Sequence, residues 1–161
     1  MKKQIYLLLS IVIILFSCSS AAYKSTIKDN GKQIPPNFGL EKTIILLMEK
    51  GSSGYNSHLE ENWDKYYTGK YEIVTKETLN NKKYADTKKY KYIFDYDIRV
   101  TRGNDGSGRQ QTYEGNSFFL IDREDNKKFG SFLDSQAWNK LMKAYIMKLE
   151  EVRLKNEDGK K

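Results

Sequence analysis

Apolar and polar residues alternate through KYKYIFDYDIRVT (89–101). Tyr90, Tyr92, Phe94, Tyr96, Ile98 and Val100 share one parity. Lys89, Lys91, Asp95, Asp97, Arg99 and Thr101 share the other, with Ile93 the one exception. A period of two predicts one long strand, packed on one face and wet on the other. TIILLM (43–48) is apolar without a break. At that length, bounded by lysines and glycine, it predicts a buried strand rather than a helix. GSSG (51–54) turns the chain, and in YNSHLEENWDKYY (55–67) Tyr55, Leu59, Trp63 and Tyr66 or Tyr67 recur at helical spacing. Ser57 and Glu60 have the spacing of a capping box at the helix start, and Gly69 is placed to end it in a left-handed conformation. YEIVT (71–75), SFFLID (117–122) and KKFGSF (127–132) predict further strands. GNDGSG (103–108) reads as a hairpin loop and REDN (123–126) as a turn. Ser135 is positioned to cap QAWNKLMKAYIMKLEEVRL (136–154), where Trp138, Leu141, Met142, Tyr145, Ile146, Leu149 and Val152 form an apolar stripe.

The predicted order, βαββββα, fits a two-layer α+β domain. It would have a mixed, mostly antiparallel sheet of about five strands, with two amphipathic helices on the aromatic face. TIILLM is apolar on both faces, which demands cover on its back as well. Residues 19–40 are polar, lack periodicity and hold both prolines, Pro35 and Pro36, so they predict a tether. The expected organisation is a signal peptide (1–17), a lipidated N-terminus and tether (18–40), one α+β domain (41–154) and a disordered polar tail (155–161).

The signal peptide follows from Met1-Lys2-Lys3 and the apolar block Ile5 to Phe16. A helix of that length spans about 18 Å, short of a hydrocarbon core of about 30 Å. Leu15-Phe16-Ser17-Cys18 resembles the lipobox of bacterial lipoproteins, a resemblance confined to the N-terminal segment. It implies that Cys18, the chain's one cysteine, begins the mature protein with a diacylglyceryl thioether and an acylated amino group. Each buried methylene contributes about 0.8 kcal/mol, so several acyl chains together hold a bilayer stably. Ser19 and Ser20 follow, with no aspartate next to the cysteine, which by analogy with lipoprotein sorting implies the outer membrane of a two-membrane bacterium.

Charge narrows the partners. The formal net charge of +7 falls to +5 once Lys2 and Lys3 leave with the signal peptide. Lysine and tyrosine interleave in NKKYADTKKYKY (81–92), as in proteins that stack on single-stranded nucleic acid. Export removes nucleic acid from reach, and lysine stems commonly cover apolar surface with their ammonium groups in water. The expected partners are therefore the membrane, through Cys18, and an envelope protein or anionic envelope polymer, with no nucleic acid.

Candidate chemistry is sparse. A lipidated Cys18 leaves no thiol for a disulfide or a thiolate metal site. His58, the single histidine, has no nucleophile or orienting partner at recognisable spacing. KGSSG before a helix start offers a weak anion site at Ser52, Ser53 and Gly54, without the Lys-Ser/Thr pair of a phosphate-binding loop. Asp95 and Asp97 stand about 7 Å apart at strand rise, a separation known in glycosidases. Lys91 and Arg99 on the same face point instead to charge pairing. DREDN (122–126) departs from the calcium-loop template. No cofactor or metal is expected. The expected function is that of a membrane-anchored envelope lipoprotein with a small non-enzymatic binding domain. The alternatives are an envelope hydrolase using carboxylates that spacing does not single out, and a structural spacer.

Overall fold

Four consecutive apolar residues, Ile45–Met48, are buried on both faces of a sheet that the rest of the chain is arranged to cover. The computed structural model describes residues 24–51, 53–104, 106–131 and 137–159. Cys18, Ser52 and the expected cap Ser135 lie outside them. In chain order the elements are β1 (Ile45–Met48), α1 (Ser53–Tyr66), β2 (Tyr71–Val74), short 3-10 turns at Thr78–Asn80 and Lys82–Tyr84, β3 (Tyr92–Asn104), β4 (Gln110–Asp122), β5 (Lys128–Gly130) and α2 (Trp138–Asp158). The sheet order is β2-β1-β3-β4-β5. β1 runs parallel to β2 and β3, while β3–β4 and β4–β5 are antiparallel. The expected α+β architecture with a mixed sheet is what the chain adopts; besides α1 and α2, residues 24–26 are helical.

Both helices lie on one face. Tyr55, Leu59 and Trp63 of α1 and Leu141, Tyr145, Ile146, Leu149 and Val152 of α2 pack with Ile45, Leu47, Tyr92, Phe94, Tyr96, Phe118 and Leu120. Aromatic rings set the geometry: Trp63 meets Phe94 edge-on at 5.2 Å, and Phe94 stacks on Phe118 at 5.8 Å. The back of β1 is covered by the turns between β2 and β3. There Leu46, Met48, Val74, Tyr84, Tyr90 and Ile93 form a second cluster. Burial of Ile93, the exception to the alternation, is thereby explained. Tyr90 belongs to this back cluster and not to the aromatic face expected for it, because it precedes β3 and its backbone has not yet taken up the strand's pleat.

Several boundaries differ from the sequence expectation. α1 begins at Ser53, so Ser57 and Glu60 lie inside it and form no capping box. Gly69 is not among the described glycines with positive φ, which are Gly31, Gly39 and Gly108. β4 starts seven residues before SFFLID, and α2 continues through Asp158 into the segment expected to be a tail. The largest correction concerns the tether. Ile27, Ile34 and Phe38 are fully buried and belong to the main core. Their segment is pinned by polar contacts as well: the Tyr145 hydroxyl lies 2.6 Å from the Gln33 carbonyl, and Asn156 Nδ2 donates to the Phe38 carbonyl at 2.7 Å. Isolated apolar residues among polar ones carry no period, which is why composition hid them.

Candidate functional site

The residues just before β1, β2 and β3 are tied side by side by backbone hydrogen bonds. Ile44 N donates to the Lys89 carbonyl at 2.8 Å, and Ile45 N to the Lys70 carbonyl at 3.1 Å. This places Lys42, Lys70 and Lys89 on the rim of one cleft of about 410 Å³, whose other walls include Phe38, Ile44, Tyr67 and Arg153. Arg153 is spent on its neighbours: it pairs with Glu150 and Glu157, each at 2.8 Å. Glu41, also on the rim, pairs with Lys91 at 3.5 Å. Among the described residues no carboxylate lies within ion-pair distance of Lys42, Lys70 or Lys89. The carbonyl ends of α1 and α2 also face this end of the fold, and each contributes about half a negative charge. Three unpaired ammonium groups exceed that, so the cleft is electropositive.

Tyr67 forms part of its wall and is only 6 % exposed. Its ring is held edge-on to Trp63 at 4.7 Å, with the Arg153 guanidinium 5.5 Å from its centroid. A Cβ on Gly69 would lie 2.6 to 2.7 Å from the Cε1, Cζ and hydroxyl oxygen of that ring. Glycine at 69 is thus required by the close passage of Tyr67, not by a left-handed backbone. Gly39 serves the opposite wall: at φ +81° it passes so near α2 that a Cβ would meet the Arg153 Cα at 2.6 Å. No described residue makes a hydrogen bond to the Tyr67 hydroxyl. Burial pushes its phenol well above the ordinary tyrosine range, although Arg153 acts in the opposite direction. Tyr67 is therefore a neutral donor.

A second cleft, about 670 Å³, opens at the other ends of β1 and β2, beside the start of α1. Glu49, Glu77 and Asp95 line it with Lys50 and Lys76. Lys50 is locked in place, 2.7 Å from Asp95 Oδ1, 2.7 Å from the Tyr96 carbonyl and 4.5 Å from the Tyr96 ring centroid. Ser53 and Gly54 are exposed at the first turn of α1. Three carboxylates against two lysines, one already paired, argue against an anion there. The expected carboxylate pair is likewise taken up by lysines: Asp95 pairs with Lys50 and Asp97 with Lys128. Lys91 turns instead to Glu124 at 2.9 Å.

His58 sits with its Nδ1 3.3 Å from Asn139 Nδ2 and 3.6 Å from Glu61, and its ring meets Trp138 edge-on at 5.3 Å. The lysine–tyrosine segment is mostly turn rather than strand. Lys83, Lys89 and Lys91 lie 5.2, 5.0 and 6.0 Å from the ring centroids of Tyr84, Tyr90 and Tyr92, all buried. Among the described residues no three His, Cys, Asp or Glu side chains are grouped as metal ligands, and no helix is long and apolar enough to cross a membrane.

The lysine-rimmed cleft escaped the sequence reading. Its signal was present, since each of the three lysines stands one to three residues before a strand. That signal acquires meaning only once β1, β2 and β3 are known to be parallel neighbours. No family model, curated protein or solved structure matches this chain.

Proposed function

We propose that this chain is a lipid-anchored protein of the bacterial envelope whose domain is a binding module for an anionic envelope component. Anchoring is supported by Leu15-Phe16-Ser17-Cys18 behind a basic, apolar leader. The observation that carries the binding half is the convergence of Lys42, Lys70 and Lys89 on one cleft whose two acids, Glu41 and Glu157, pair instead with Lys91 and Arg153. Lysines scattered over a solvated surface add to net charge alone. Three held together around a concavity raise the local concentration of an anion and lower the cost of desolvating it.

Each half has its own test. Growth with a fatty-acid probe labels the wild-type chain and leaves Cys18→Ala unlabelled and released from membranes; persistent labelling refutes the anchor. The full-length protein in detergent retains polyphosphate and polyglutamate but not neutral dextran. The variant carrying Lys42→Gln, Lys70→Gln and Lys89→Gln loses that retention. A triple variant that binds as the wild type does overturns the binding role.

A further inference from the structure

We infer that the cleft in front of β1, β2 and β3 seats the oxyanion head of an amphiphilic ligand, with the Tyr67 hydroxyl donating a hydrogen bond to it. This rests on the reading of the cleft as an anion site and adds what the lysines alone do not supply. Exposed lysines attract any anion and select none, because an ammonium group is a mobile point charge with no fixed direction. Tyr67 is different. Its ring packs edge-on to Trp63 with the Arg153 guanidinium 5.5 Å from its centroid, the Gly69 backbone passes close to its hydroxyl end without a side chain, and the hydroxyl has no partner among the described residues. The hydroxyl oxygen opens onto the cleft rather than into the core, so a held donor without a protein partner on the wall of an electropositive cleft is free to meet a ligand.

The acceptor that fits is an oxyanion, phosphate or carboxylate. The phenol stays protonated, so it donates, and a hydrogen bond to a charged acceptor is the stronger kind. Ile44, half-buried on the same wall, gives an apolar surface beside the donor. A ligand that ends in an oxyanion and continues as a slim hydrocarbon stem meets both. A bare inorganic ion meets only the first. Such heads occur on lipids and on soluble phosphomonoesters or fatty acids, and the cleft's chemistry is common to them.

The test is calorimetric titration of the full-length protein in neutral detergent with octyl phosphate, inorganic phosphate, octanoate and acetate. The wild type is expected to bind octyl phosphate at least tenfold more tightly than inorganic phosphate, with octanoate also favoured over acetate. Tyr67→Phe is expected to weaken octyl phosphate about tenfold, which corresponds to about 1.4 kcal/mol. The triple lysine variant is expected to abolish binding. If Tyr67→Phe binds as the wild type while the triple variant does not, the inference fails and the anion-binding reading stands. If the triple variant still binds, that reading fails too. Should Tyr67→Phe not fold, the wild-type Tyr67 ring resonances are followed during titration, and unshifted resonances at saturation overturn the contact. Competition of octyl phosphate by phosphatidylglycerol vesicles, against phosphatidylcholine vesicles as control, assigns the head to a lipid; absence of competition assigns it to a soluble ligand.

Discussion

Glu150 shows how a single buried charge ties two segments, α2 and the loop after α1, together. Its carboxylate accepts from Arg153 Nε and Nη2, both at 2.8 Å, and from the Thr68 hydroxyl at 2.6 Å. Burial pushes the Glu150 carboxyl up, but the hydrogen bonds from Arg153 and Thr68 outweigh it and hold it below the usual carboxylate value of 4.5. The sign of the pH effect follows. A carboxyl depressed in the fold adds stability above its unfolded pKa near 4.5, and this is lost as pH falls through the lower folded value. Glu72, held down against its own burial by Lys83, Tyr84 and Tyr90, acts in the same direction. Glu150→Gln keeps the shape but drops the charge, leaving Arg153 with Glu157 alone. A loss of about 2 kcal/mol is expected at pH 7, below the usual cost of orphaning a buried charge because one partner remains. The gap to wild type should narrow at pH 3. Urea midpoints at the two pH values measure it, and an unchanged gap would remove the assigned role.

At the scale of elements, β3 divides into two halves that its sequence does not distinguish. β1 pairs with it only from Tyr92 to Phe94, and β5 pairs with β4 only from Phe119 to Ile121. Beyond those points β3 and β4 pair with each other alone. Tyr92, Phe94 and Tyr96 are accordingly buried, while Ile98 and Val100, on the same parity, are 55 % and 56 % exposed. Phe94→Ala should cost about 3 to 5 kcal/mol. Ile98→Thr and Val100→Thr should each stay within about 0.5 kcal/mol. Amide exchange supplies the backbone counterpart, with protection high from 92 to 96 and falling towards 104. Equal protection along the strand would show that the outer half is covered. The same contrast explains what was legible. Alternation revealed the strand, its length and which residues share a face, because these are local properties. Whether a face meets a helix depends on where the neighbouring strands stop. Tyr90 and Gly69 were misplaced for a related reason: parity and helix-end statistics describe backbone, whereas these residues are fixed by the turn cluster and by the Tyr67 ring. The lysine cleft was illegible until the strand order was known.

The whole molecule gains a constraint from Ile27, Ile34 and Phe38. A tether reaching residue 40 would let the domain stand well clear of a bilayer. With the chain entering the core by Ile27, and Lys24 paired to Glu151 on α2 at 2.6 Å, the span available to an anchor is shorter. Under the proposed lipidation, the six residue steps from Cys18 to Lys24 reach at most about 21 Å when fully extended. The domain is then held against the headgroups, and a lipid-derived oxyanion is within the compass of its own anchor. A donor fluorophore on Lys28→Cys, with Cys18 blocked by its lipid, reports this distance to acceptors on headgroups. Lys28 is exposed and lies beside the chain's entry to the core. Inserting about 20 Gly/Ser residues after position 22 adds roughly 25 Å root-mean-square reach. Energy transfer in the native chain should exceed that of the extended one, and Cys18→Ala should show none above the soluble background. Equal transfer with and without the insertion would mean that the domain docks on the membrane through its own surface, whatever the length of its leash.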